Sequence, residues 1–432
     1  MQKEKAFAWL LFLSLVSIDA EYWDTIWSPA YYFRWIFVGL PIKASIFEFI
    51  CIGLCLTAKR RDKTQLSKYA IRAIQVSFVT VILWITYGMI RGGLFKPLNT
   101  QVHCWLTCLL VAVTAARVAR TVTDFKRFTR VFVYAALWQS VTAVAVYIKL
   151  KDSIPPPAYV TTHSDTVTFT VGLLVLICDA VEGRTKRDLR WLFLCAPLIL
   201  LAIQLNNRRL AWATVAGGIL IIYSMLPSKS KFTRRLNRIV FILVPILTIY
   251  VIVGWGRSEG IFKPVGSIST MFSAKATGKL DPSTKARDNE NLGMVTMVPY
   301  SPFLGTGFGH KWLDIDPTYA VPESIFPMYH YSPHNSVLAL LAYCGAFGLA
   351  GLWMVISVAC FLNASIYRKS NNPAERSVVM VGIIIALAYL NQCYGDMGFA
   401  WKTPAIILGI GIAMAARLSV PYEPIRKREL RQ

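Results

Sequence analysis

Twelve apolar runs, spaced along nearly the whole chain, constrain its fold more than any other feature. They lie near 6–20, 36–57, 71–90, 104–119, 131–149, 165–181, 191–205, 210–226, 239–254, 336–364, 378–394 and 404–417. Most hold roughly 14 to 20 residues, the length of helix that crosses a hydrocarbon core of about 30 Å at 1.5 Å per residue. With 55% of residues apolar and only 16% charged, an ordinary soluble domain is excluded. The expectation is an all-α integral membrane protein of about 12 transmembrane helices. The runs divide the chain into helices 1–9 over 1–254, a large loop over 255–335, helices 10–12 over 336–417 and a basic tail over 418–432.

The net charge of +23 would suit a nucleic-acid binder, but its placement points elsewhere. Every second connection is basic. Assigning the N-terminus, the loops near 59–72, 117–130, 184–190, 229–238 and 368–376, and the tail from Arg417 to one side collects most of the 46 Lys and Arg and few of the 23 Asp and Glu. The positive-inside rule then sets both termini in the cytoplasm and the large loop outside, and no nucleic acid is required. The first run follows MQKEK, but IDAEYW after it is a poor cleavage site, so it reads as a retained span rather than a secretion signal. The nine cysteines fall in or beside apolar runs, which points to packing and not to disulfides or metal ligands.

The segment from about 255 to 333 is too long for a plain connector, which in compact proteins seldom exceeds about 15 residues. It reads as a folded cap, with a short helix expected near 288–298, turns at Pro299, Pro302, Gly305 and Gly307, and prolines at 317, 322 and 327.

Candidate chemistry gathers on the expected outer side. All five histidines, at 103, 163, 310, 330 and 334, fall there or at its edge. His334 stands out because Asn335 and a long apolar run follow it, which sets it at a helix N-terminus. The unpaired N–H groups there favour a neutral imidazole, the form that a general base needs. The alternative is that His334 or Asn335 simply caps the helix. Arg208 and Arg209 fill almost the whole connection QLNNRRLAW, so both guanidiniums are pinned at the surface. They can hold a diphosphate bidentately or snorkel to lipid head groups. Arg287 is a further cation, with Asp288 and Glu290 as possible partners. The carboxylate pairs Asp19/Glu21 and Asp314/Asp316 are weak metal candidates, and Glu48, inside a span, is a candidate for substrate contact.

Taken together these elements resemble the O-antigen ligase and polymerase superfamily of bacterial membrane glycosyltransferases. NNRRLAW matches a Ser-Arg-like motif that opens a span, with Asn207 or Arg208 where serine is usual. Arg287, followed by Pro302, Gly305 and Gly307, matches an arginine with a Pro-x-x-Gly-x-Gly turn, although Asn291 stands where a tryptophan is usual. His334, Asn335, Gly345 and Gly348 match a His-Asn pair leading into an apolar helix with Gly-x-x-Gly. The matched elements run from about 203 to 350.

The resemblance implies a GT-C-like fold with one large periplasmic loop before the His-Asn helix, in the bacterial inner membrane with its active site facing the periplasm. It implies an essential His334, arginines (Arg287 with Arg209 or Arg208) on the diphosphate of an undecaprenyl-linked glycan donor, inversion at the anomeric carbon, and no metal or cofactor. The acceptor would be a glycolipid such as lipid A-core for a ligase of lipopolysaccharide biosynthesis, or a second lipid-linked glycan for an O-antigen or exopolysaccharide polymerase. A twelve-helix flippase or transporter is the competing class. Against it stand the short connection at 182–190, the late and external large segment, and the lack of a matched pair of broken helices in the two halves.

Overall fold

The computed structural model describes residues 3–16, 45–61, 66–152, 159–227, 231–257, 260–262, 265–266, 269, 282–316, 318 and 328–420. All regular structure among them is helical. In chain order the α-helices are α1 (Lys3–Leu15), α2 (Ile46–Arg61), α3 (Lys68–Ile90), α4 (Phe95–Val118), α5 (Val122–Leu150), α6 (Asp165–Gly183), α7 (Lys186–Asn206), α8 (Arg209–Met225), α9 (Lys231–Gly254), α10 (Pro282–Met297), α11 (Ser336–Lys369), α12 (Pro373–Gly395) and α13 (Lys402–Leu418). Each expected run overlaps a helix, and α10 lies inside the large polar segment. Helices α3 to α7, α9, α11 and α12 are long and apolar enough to cross a membrane, and α2 and α8 are shorter apolar helices. The chain is an all-α, multi-pass membrane protein. Asp19, Glu21, the prolines at 317, 322 and 327, and the tail beyond residue 420 lie outside the described residues.

The centre of the bundle is α13, buried almost throughout against α4, α11 and α12. At the opposite extreme, α9 is apolar all round, and its large side chains such as Phe241 and Ile252 are exposed, as suits a helix whose solvent is hydrocarbon. The basic end of the bundle is tied by buried ion pairs. Lys126 contacts Asp179, which also accepts from Ser377, and Arg376 meets Glu182 at 2.8 Å beside Tyr367. Carboxylates removed from water need such partners, since an unpaired buried charge costs several kcal/mol.

The other end, here the loop end, is organised by a break in α11. Gly345 adopts φ 59° and ψ −172°, a region open essentially to glycine. The break frees the carbonyls of Ala342 and Tyr343 and the N–H groups of Ala346 and Phe347. The 302–307 turn takes up all four: Ala346 N donates to Pro302 O (2.8 Å), Phe347 N to Phe303 O (3.2 Å), Thr306 N to Ala342 O (3.0 Å) and Gly307 N to Tyr343 O (2.8 Å). Gly307, at φ 92°, lies directly against Gly88 of α3, where a Cβ would meet backbone. Trp84 Nε1 donates to Leu304 O at 2.8 Å. The glycine turn is therefore a structural dock, fixing the large segment to α3 and α11.

Candidate active site

The dock holds α10 above the start of α11. Asn289 anchors it, donating to Asp314 Oδ1 (2.8 Å) and Asp316 O (3.0 Å) and accepting from Asp316 N (3.0 Å). Asp314 also meets His330 Nε2 at 3.3 Å, and Asp316 accepts from Thr318. The two carboxylates are thus engaged in holding the segment together, and among the described residues no group of three or more His, Cys, Asp or Glu could hold a metal.

With α10 anchored, Glu290 faces His334. His334 Nδ1 lies 3.0 Å from both carboxylate oxygens, and the backbone N–H of His334 donates to Oε2 at 2.9 Å. The Glu290 side chain is 1% exposed and that of His334 26% exposed, so the pair has one buried member and one accessible to a ligand. A carboxylate can only accept, which makes Nδ1 the donor, and Nε2 makes no hydrogen bond with a described residue. Asn335, and not His334, caps α11, its Oδ1 accepting from Val337 N and Leu338 N at 3.2 Å. Beside them a small pocket, open to solvent, is lined by Phe308, Tyr331, Ser336, Tyr343 and Phe399.

The cationic part is built on the two-residue α7–α8 connection. Asn206 is buried and accepts from Thr161 N at 3.1 Å; Asn207 closes α7 in the left-handed region, at φ 51°, which asparagine tolerates better than most residues. The chain is then forced through Arg208, the N-cap of α8, whose guanidinium stacks 4.0 Å over the ring of Tyr159. Its Nε and one Nη are buried without an acceptor among the described residues. Buried donors are almost always satisfied, so such a pair marks where an anion would sit. Burial pulls the Arg208 guanidinium below its ordinary pKa and the charge of Arg287 adds to this, while Asp396 and Tyr159 oppose it.

Arg208 and Arg287 are thereby brought together across the chain. Arg287 is half-buried on α10 and pairs with neither Asp288 nor Glu290. Arg209, the first residue of α8, is half-buried and makes no hydrogen bond or ion pair with a described residue. Glu48 stands apart from this group, bound to Lys402 at 2.6 Å and to Ser45 and Thr107.

Two neighbours, Glu290 and Asp396, were given no part in the chemistry by sequence reasoning. Glu290 follows Arg287 by one helical turn, the spacing that puts two side chains on one face. Asp396 ends α12 and touches His163 Nδ1. Burial raises its carboxyl, but the His163 contact and charge, the His334 charge and the Met397 N–H outweigh this and hold it below the usual carboxylate range.

A family model described as O-antigen ligase matches residues 192–353, from α7 into α11. The matched span includes Arg208, Arg209, Arg287, Glu290 and His334. No curated protein matches the chain.

Proposed function

We propose that this chain, a member of the O-antigen ligase superfamily by its residues 192–353, transfers a glycan from undecaprenyl diphosphate to an acceptor sugar hydroxyl, with lipid A-core as the acceptor. Arg208 and Arg287 bind the diphosphate of the donor, whose anomeric carbon already carries a good leaving group. His334 Nε2 takes the proton of the acceptor hydroxyl. The hydroxyl oxygen attacks the anomeric carbon from the face opposite the diphosphate, the C–O bond breaks toward phosphate, and the configuration inverts. Glu290 keeps the imidazole in the Nδ1–H tautomer and stabilises the imidazolium that forms, the role of the buried acid in a catalytic triad. The arginines stabilise the charge that the diphosphate gains.

The observation that carries this reading is the His334–Glu290 pair together with a half-buried arginine, two of whose nitrogens are buried without an acceptor among the described residues. The basic end then faces the cytoplasm, with both termini, and the loop end faces the periplasm from the inner membrane. A polymerase of the same superfamily would use the same groups and differ in its acceptor. In a deletion strain, loss of capped core indicates ligation and loss of chain length alone indicates polymerisation.

Turnover of a defined lipid-linked donor tests the clamp. Arg208→Ala should lower turnover by about 10² to 10³, the usual effect of removing a main charge-stabilising donor, and Arg209→Ala should have a much smaller effect. Near-normal turnover in Arg208→Ala, with the loss falling on Arg209→Ala, would transfer the role to the neighbouring residue.

A further inference from the structure

His163 and Asp396 lie outside the matched span yet border the same site. His163 sits in the α5–α6 connection and Asp396 at the end of α12, 2% exposed. Asp396 Oδ1 accepts from Met397 N at 2.8 Å, and Oδ2 meets both Gln392 Nε2 at 3.3 Å and His163 Nδ1. The backbone around His163 is tied on three sides. Thr161 N donates to Asn206, Thr162 N to Asp165, and Gln392 Nε2 to His163 O at 3.4 Å. Asp165 accepts from Thr162 and from Gln139. The charged groups linked to this corner are Asp396 on His163, Asp165 on the neighbouring Thr162 and Arg208 on the face of Tyr159, with Arg287 acting on Arg208 and His334 on Asp396. The Tyr159 ring that carries Arg208 is 6.2 Å from the His163 ring. The His163 side chain is 27% exposed, and its Nε2 has no partner among the described residues.

The charge balance of the proposed reaction asks for more than two cations. A glycan-linked polyprenyl diphosphate carries two negative charges. When the C–O bond breaks, its electron pair stays on the phosphate oxygen and a third charge appears. Arg208 and Arg287 match the first two. We propose that His163, protonated on both nitrogens, supplies the third positive group, offering Nε2–H to a phosphate oxygen of the leaving polyprenyl diphosphate, with Asp396 as the positioning residue on Nδ1. This rests on the diphosphate-donor reading above. It assigns the diphosphate a three-sided site formed by the N-cap of α8, by α10 and by the α5–α6 connection, backed by the end of α12, and it makes release of the polyprenyl diphosphate sensitive to pH.

Farnesyl diphosphate is a suitable probe, because like the leaving group it is a diphosphate monoester. Its affinity is measured across pH on the full chain in detergent, for the wild type and for Arg208→Ala, His163→Gln and His163→Arg, each verified as folded by its thermal transition. Affinity in the wild type should fall as rising pH removes the second imidazole proton. His163→Gln should bind roughly tenfold or more weakly at low pH, the effect of losing a hydrogen bond to a charged group. His163→Arg should restore binding and retain it at high pH, which also separates the titration of the probe from that of the protein. Unchanged binding in His163→Gln at every pH, with loss in Arg208→Ala, would overturn the role of His163 and leave the diphosphate reading standing. No loss in either variant would remove both.

Discussion

Four of the five histidines rest against a carboxylate: His103 on Glu48, His163 on Asp396, His330 on Asp314 and His334 on Glu290. Their chemistry separates by neighbourhood. His330 packs on Trp312 and Tyr329 in the small core that holds the large segment, whereas His163 lies beside the Tyr159 ring that carries Arg208, and His334 and Arg208 both act on Asp396. Individual candidates were readable in the sequence where the chain isolates them. Arg208 and Arg209 fill a connection two spans force to be short, and His334 precedes a long apolar run. Their partners were not, because Glu290 and Asp396 acquire meaning only once α10 and the end of α12 are folded onto the site. Asp396 gives a pH prediction at this scale. Its folded pKa lies below its unfolded value, so it stabilises the fold above the usual aspartate pKa of about 4, and that contribution is lost as pH falls through the folded value. The Tm advantage of the wild type over Asp396→Asn should therefore be full at neutral pH and shrink on acidification. An advantage that grows in acid would contradict the assignment.

At the scale of elements, apolar run length located, among the described residues, each of the eight helices long and apolar enough to span, because such a run reports a length that hydrocarbon imposes. What run length could not report is the break within α11. In the sequence, Pro302, Gly305 and Gly307 read as a loop turn and Gly345 as part of a helix motif. In the fold they are halves of one device, in which four backbone groups released by Gly345 are taken up by the 302–307 turn. That exchange sets the position of α10, and so of Glu290 and Arg287. Gly345→Ala must place a side chain at φ 59° against the Phe303 backbone. Forcing such a conformation costs about 1–3 kcal/mol, before the clash is counted. The variant should melt at a lower temperature and lose transfer activity even though Gly345 is given no part in the chemistry. A Gly345→Ala protein with wild-type stability and turnover would show that the dock does not position the site.

For the whole molecule, the distribution of charge follows function. Paired ions close the basic end, while the loop end keeps an arginine with unsatisfied donors beside an accessible imidazole. A transporter with arginines at one face could hold a diphosphate too, but it has no need of a histidine whose Nδ1 is fixed by a buried carboxylate. The most direct measurement is the conversion of a labelled polyprenyl-diphosphate-linked glycan to acceptor-linked product by the purified protein in detergent, where there is no bilayer to cross, comparing wild type with His334→Ala and Glu290→Gln. Product should form with the wild type, and both variants should be slowed by about 10² to 10⁴, the range for losing a general base or the tautomer that supports it. Absence of product from the wild type in detergent, with movement of the same donor across vesicles, would contradict a transferase.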